Sequence, residues 1–164
     1  FRAVSKVNEN RYNTILDKMK NSLGVLDGKR AAIWGLAFKE ATDDIRESPC
    51  IPIINALVDQ GMAVHLHDPE AKDLFKELIP PKPGLVDYFE SPEQAALGVD
   101  VILIVTEWGM YSRVDLSELR DIVKNPLLID GRNMLDPLYV TNSGFQYVGT
   151  GRPIEDPNEQ VEVI

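Results

Sequence analysis

Residues 99–105, Val-Asp-Val-Ile-Leu-Ile-Val, form a nearly unbroken apolar run of strand length. A strand with one wet face alternates apolar and polar residues, so a run like this suits a strand covered on both faces, at the centre of a parallel sheet. Its neighbours are consistent with that placement. Further strand candidates lie at 29–34, 62–67, 86–89, 127–130 and 145–148. Helix candidates lie at 7–23, 69–78, 92–97 and 116–123, with one more capped by Ser48 and carrying Pro49 in its first position. In the first of these, Tyr12, Ile15, Leu16, Met19 and Leu23 fall at helical spacing, and Gly24 suits the position just past the end. Asp115 is a candidate cap. Strand and helix alternate throughout, which predicts an α/β fold: a Rossmann-like, doubly wound, mostly parallel sheet of five to six strands with helices on both faces. Pro-Pro-Lys-Pro-Gly at 80–84 excludes regular structure and reads as a surface loop.

Between the first strand and the helix after Ser48 lie fifteen residues, Gly-Leu-Ala-Phe-Lys-Glu-Ala-Thr-Asp-Asp-Ile-Arg-Glu-Ser-Pro at 35–49. A strand-to-helix loop of this size is long for a compact domain, and such loops are usually functional or disordered. In an open α/β sheet the loops leaving the carboxyl ends of strands are where ligands bind. Lys39 and Arg46 are cationic, and a helix N-terminus beside them offers N–H donors, so the stretch describes an anion site, most plausibly for phosphate. The alternative is two solvated charges paired with Glu40, Asp43, Asp44 or Glu47. Asp43 and Asp44 lack a third ligand for Mg²⁺ and read instead as holding the loop or orienting Arg46. Arg132 follows the strand at 127–130 and therefore belongs to the same edge, with Gly131 letting the backbone turn. Trp108 reads as packing.

Composition narrows the function classes. A net charge of −9 argues against nucleic acid or an anionic membrane as partner, without excluding a local basic site for one nucleotide. No apolar run approaches membrane-spanning length and no secretory leader pattern opens the chain. One cysteine permits no internal disulfide, which is compatible with the cytoplasm. Cys50 has no neighbouring base and reads as a buried thiol rather than a nucleophile. His65 and His67 share a strand face but have no third ligand to complete a metal site, so no metal is expected. No Gly-x-Gly-x-x-Gly follows the first strand, so the usual dinucleotide cradle is not expected here. Phe1 is not a natural start, and the chain reads as a fragment.

The stretch at 35–49 resembles the signature of the UDP-glucose/GDP-mannose dehydrogenase family at the start of its C-terminal nucleotide-sugar-binding domain. The resemblance continues in order through His67-Asp68-Pro69, Thr106-Glu107-Trp108 and Asp130-Gly131-Arg132, and covers roughly residues 7–150. Thr106-Glu107-Trp108 is more like the UDP-glucose branch than the GDP-mannose branch. The resemblance implies residues 1–24 as the end of a helix from a preceding central domain, 25–150 as the UDP-binding domain and 151–164 as a tail, either mobile or an arm on a neighbouring subunit. It implies that Phe38, Lys39 and Arg132 contact the UDP-sugar, and that Arg46 reaches the phosphates of NAD held mainly by another domain. The catalytic cysteine would lie outside this chain, leaving no catalytic residue here and no activity in the fragment alone. The intact enzyme would be an oligomeric, cytoplasmic oxidoreductase that takes the sugar C6 alcohol to a carboxylate for polysaccharide biosynthesis. A non-catalytic nucleotide-binding or regulatory module, or a phosphate-binding interaction domain unrelated to sugars, remain the alternatives.

Overall fold

The computed structural model describes residues 2–151 and 154–155, with side chains from residue 12 to residue 151. The chain runs α1 (Arg2–Leu23), β1 (Arg30–Trp34), α2 (Cys50–Asp59), β2 (Ala63–His67), α3 (Lys72–Leu78), β3 (Val86–Tyr88), α4 (Pro92–Ala96) and β4 (Val101–Ile104). A 3₁₀ turn (Tyr111–Arg113) then leads to α5 (Leu116–Ile122), β5 (Leu127–Asp130), α6 (Pro137–Asn142), β6 (Gln146–Gly149) and β7 (Ile154–Glu155). The sheet order is β3-β2-β1-β4-β5-β6-β7, with the first six strands parallel and β7 antiparallel to β6. This is the doubly wound arrangement expected from the alternation.

The apolar run does what its pattern requires. Val101, Ile102, Leu103 and Ile104 are all fully buried. Successive residues of a strand point to opposite faces, and the two faces are covered by different helices. Ala31, Ile33, Val64, Leu66, Val101, Leu103, Leu127 and Ile129 join Ile15, Leu16 and Met19 of α1, Ile53, Ile54 and Leu57 of α2 and Phe75 of α3. The alternate residues Ala32, Trp34, Ile102, Ile104 and Leu128 join Ala95 and Ala96 of α4, Leu116 and Leu119 of α5 and Val140 of α6.

Differences from the expected elements have local causes. The helix read at 69–78 begins only at Lys72, because the Asp68 carboxylate draws the N–H groups of Glu70 and Ala71 into a turn first. The helix after Ser48 begins at Cys50 with Pro49, not Ser48, at the cap position, one residue later than expected; Pro49 already has helical backbone angles, and Ser48 Oγ still accepts from Cys50 N at 3.2 Å. Asp115 caps α5 as its position suggested. Helix α6 is short and was not evident from periodicity, although Asp136 caps it and Pro137 opens it. Of the C-terminal tail, Ile154 and Glu155 form β7, and residues 152–153 and 156–164 lie outside the described residues.

Candidate functional site

Strands β1 and β4 are hydrogen-bonded neighbours, and the chain leaves β1 toward β2 on one side and returns through β4 on the other. In open α/β sheets it is above the carboxyl ends of the strands, at such a reversal of order, that ligands bind. The segments after β1, β4 and β5 carry Phe38, Lys39, Glu107 and Arg132, so these residues share the edge flanking the reversal.

The base of the 35–49 loop is buried, and the backbone N–H and C=O groups of Leu36 and Ala37 are all partnered. Asp68, at the end of β2, is the centre. Its Oδ2 accepts from Leu36 N at 2.7 Å, Ala37 N at 3.0 Å and Trp108 Nε1 at 3.0 Å. Its Oδ1 accepts from Glu70 N at 2.9 Å and Ala71 N at 2.8 Å. One buried carboxylate thus joins the loops after β1, β2 and β4. The carbonyls of the same two residues are also satisfied: Ser48 Oγ donates to Leu36 O and Thr106 Oγ1 to Ala37 O, both at 2.6 Å. Gly35 has φ +91°, and a Cβ there would lie 2.5 Å from Thr106 Cβ, so only glycine lets β1 and the β4 exit approach this closely.

Above this base the loop is exposed. Phe38 N closes it by donating to Asp44 O at 2.8 Å, leaving the Phe38 side chain 47% exposed. Lys39 is exposed and takes part in no ion pair among the described residues. Ala41 and Glu47 both have φ of +58°, a left-handed conformation that costs a non-glycine residue about 1–2 kcal/mol. Asp44 grips Arg46 along one edge of the guanidinium, Oδ1 to Nε at 3.0 Å and Oδ2 to Nη2 at 2.9 Å. Those hydrogen bonds hold the Asp44 carboxyl down at about 2. The Arg46 side chain remains 88% exposed. Two shallow depressions flank the loop, one of about 430 Å³ lined by Ala41, Thr42, Asp43 and Glu70, the other of about 390 Å³ reaching Arg46 and Leu74. Neither is lined by Lys39 or Arg132.

The helix N-terminus contributes less than its position promised. Pro49 at the cap and Pro52 in the first turn carry no N–H, and the N–H groups of Cys50 and Ile51 both bond to Ser48. No donor of that turn is left for an anion, so any anion affinity rests on side chains.

At the other end of the edge, Asp130 is fully buried and accepts from Arg132 N, Leu135 N and the Tyr147 hydroxyl. Gly131 is required by proximity rather than by a turn, since a Cβ would meet Ile104 O at 2.8 Å. The left-handed residue is Asn133, φ +53°, which exchanges two hydrogen bonds of 2.9 Å with the backbone of Thr150. Arg132 Nη2 meets Glu107 Oε1 at 2.6 Å, with the two side chains 30% and 44% exposed.

The remaining reactive residues are structural. Cys50 is fully buried, its thiol donates to Gly35 O at 2.8 Å, and burial pushes it well above the ordinary thiol range. His65 donates to Ala95 O, and His67 lies 3.1 Å from the Tyr111 hydroxyl. Burial lowers both histidines, favouring the neutral forms. No group of three metal-ligating side chains occurs among the described residues. No helix among them is long and apolar enough to cross a membrane. Asp68 and Glu107 stand within sequence motifs that assign neither of them a role. The signal for Asp68 was its position, a lone acid directly after a buried strand.

Residues 32–137 match the UDP-glucose/GDP-mannose dehydrogenase family, UDP binding domain. A UDP-glucose 6-dehydrogenase from Pseudomonas aeruginosa is 38% identical over 132 residues, which is 79% of this chain and 29% of that protein. One from Rickettsia conorii is 38% identical over 155 residues, 94% of this chain and 35% of that protein. A UDP-glucose dehydrogenase structure from Pyrobaculum islandicum aligns with a TM-score of 0.69 at 30% identity, covering 81% of this chain and 28% of that one. The chain therefore spans about a third of the length of the relatives it matches. With more than half of its length in the match, the chain belongs to the UDP-glucose/GDP-mannose dehydrogenase family, within that family's UDP binding domain.

Proposed function

We propose that this chain is the nucleotide-sugar-binding wall of an NAD-dependent UDP-glucose 6-dehydrogenase, with residues 25–150 as the binding domain and 1–24 as the link from a central domain. The observation that carries the reading is the common edge: Phe38 and Lys39 after β1 and Arg132 after β5 flank the reversal of strand order. Lys39 supplies a mobile point charge and Arg132 a planar fork, a combination suited to a diphosphate. Phe38, half out of the protein, supplies an apolar face beside them.

The β1–α2 crossover does not fit the pyrophosphate of NAD as a cradle, because its first-turn donors are absent or used. The chain does fit one contact to such a cofactor, the exposed and pre-oriented Arg46. NAD would accept the hydride when bound to a neighbouring domain, and this chain would hold and orient the nucleotide. Oligomerisation, a cytoplasmic setting and a role in polysaccharide biosynthesis belong to the same reading. The free thiol of Cys50 accords with a reducing compartment.

The test is calorimetric titration of the full protein carrying this chain with UDP. Lys39→Ala and Arg132→Ala are each expected to weaken binding about tenfold or more, as loss of a charge-assisted contact does, with the melting temperature unchanged. Arg46→Ala is expected to raise KM for NAD⁺ more than that for UDP-glucose. Unchanged UDP affinity in both of the first two variants would overturn the reading.

A further inference from the structure

We propose that Glu107 is a positioning residue whose carboxylate aims the Arg132 guanidinium across the carboxyl edge toward the diphosphate. The proposal rests on the reading of Arg132 as a ligand contact. Glu107 lies between two fixed neighbours. Thr106 is bolted to Ala37 O through its hydroxyl, and Trp108 to Asp68 through its indole N–H. The side chain that emerges between them therefore starts from a rigid segment rather than a free loop. Arg132 is held comparably, by its own N–H on Asp130 and by the Asn133–Thr150 exchange next to it. Two residues 25 apart in sequence thus meet from fixed backbones.

The manner of the contact is informative beside the other arginine pair. Asp44 occupies Nε and Nη2 of Arg46 together. Glu107 occupies Nη2 of Arg132 through a single oxygen, and among the described residues no other partner takes the remaining guanidinium N–H groups. The fork is steered and still open. An arginine carries several rotatable bonds, and fixing them before the ligand arrives removes part of the entropy cost of binding. A carboxylate beside a diphosphate also repels it. Glu107 therefore strengthens binding only if the order it imposes outweighs that repulsion, and the two effects have opposite signs in a titration.

The experiment is titration of the full protein with UDP for wild type, Glu107→Ala, Glu107→Gln, Arg132→Ala and the Glu107→Ala/Arg132→Ala double variant, with melting temperatures as a fold control. Glu107→Ala is expected to weaken UDP binding about three- to tenfold, in the range of measured couplings between contacting residues. Glu107→Gln keeps the acceptor without the charge and is expected to recover most of the affinity. The double variant is expected to bind no more weakly than Arg132→Ala alone, because Glu107 acts through Arg132. Tighter binding in Glu107→Ala would make Glu107 a competitor of the ligand and overturn the proposal. Full additivity in the double variant would assign Glu107 a separate structural role and overturn it as well. If Arg132→Ala itself leaves UDP affinity unchanged, the reading of the site fails first, and this result is distinct from a failure of Glu107 alone. Glu107→Gln, nearly isosteric, keeps the question decidable if the alanine variant does not fold.

Discussion

The base and the crown of the 35–49 loop are a few residues apart and obey different physics. At the base, Leu36 and Ala37 are fully buried, and their N–H and C=O groups are all bonded to buried side chains from β2, the α2 entry and the β4 exit. In the crown, charged side chains stand in water, two non-glycine residues sit at positive φ, and the principal ion pair is local, between Asp44 and Arg46. The base spends polar groups on fixing the backbone, since a buried donor without an acceptor is costly. The crown leaves its side chains available to a ligand. Side chains carried on such an anchored loop would meet a ligand from a fixed backbone.

If that division is right, removing the acceptor at the base should have the largest effect. Asp68→Ala takes the partner from five N–H groups at once. A buried donor left unpaired costs about 1–3 kcal/mol, and with some of the five recovering water, a loss of at least about 3 kcal/mol is expected in urea denaturation. A loss below about 1 kcal/mol would mean that the base is not the anchor described here.

Next comes Gly35→Ala. The new Cβ would meet Thr106 Cβ at 2.5 Å with φ at +91°. Overpacking and left-handed strain together are expected to cost about 2–4 kcal/mol. The same variant should weaken UDP binding, since the Lys39 side of the loop would shift relative to β4. Loss of stability with full UDP affinity would show that the crown is positioned independently of the base.

The smallest effect is expected in the crown. Arg46 holds the Asp44 carboxyl at about 2 instead of 3.8. A carboxyl depressed in the folded state adds stability above its unfolded pKa and loses it as pH falls through the folded value. The window here runs from about pH 4 down to about pH 2. Both groups are in water, where screening keeps such pairs weak. Asp44→Asn is therefore expected to match the wild type near pH 2, to fall only marginally below it in thermal midpoint at pH 7, and so to flatten the acid limb of a stability–pH profile. A clear loss at neutral pH would show that crown and base melt as one unit.

The sequence by itself determined the layered fold, because its signals are local and periodic. The unbroken run at 101–104 could only sit between two helical layers, and alternation of elements then required a parallel, doubly wound sheet. It also located the loop carrying Phe38, Lys39 and Arg46 and the edge carrying Arg132, since both follow strands. Tertiary structure alone decided which polar groups are free. That the α2 terminus has no donor left depends on Ser48 as well as on the two prolines. That Asp68 is a five-fold acceptor depends on three loops converging from β1, β2 and β4. That Glu107 meets Arg132 depends on β4 and β5 being neighbours. Hydrogen bonds of this kind are directional and span tens of residues, so no local pattern encodes them; they exist only once the sheet has brought the strand ends together.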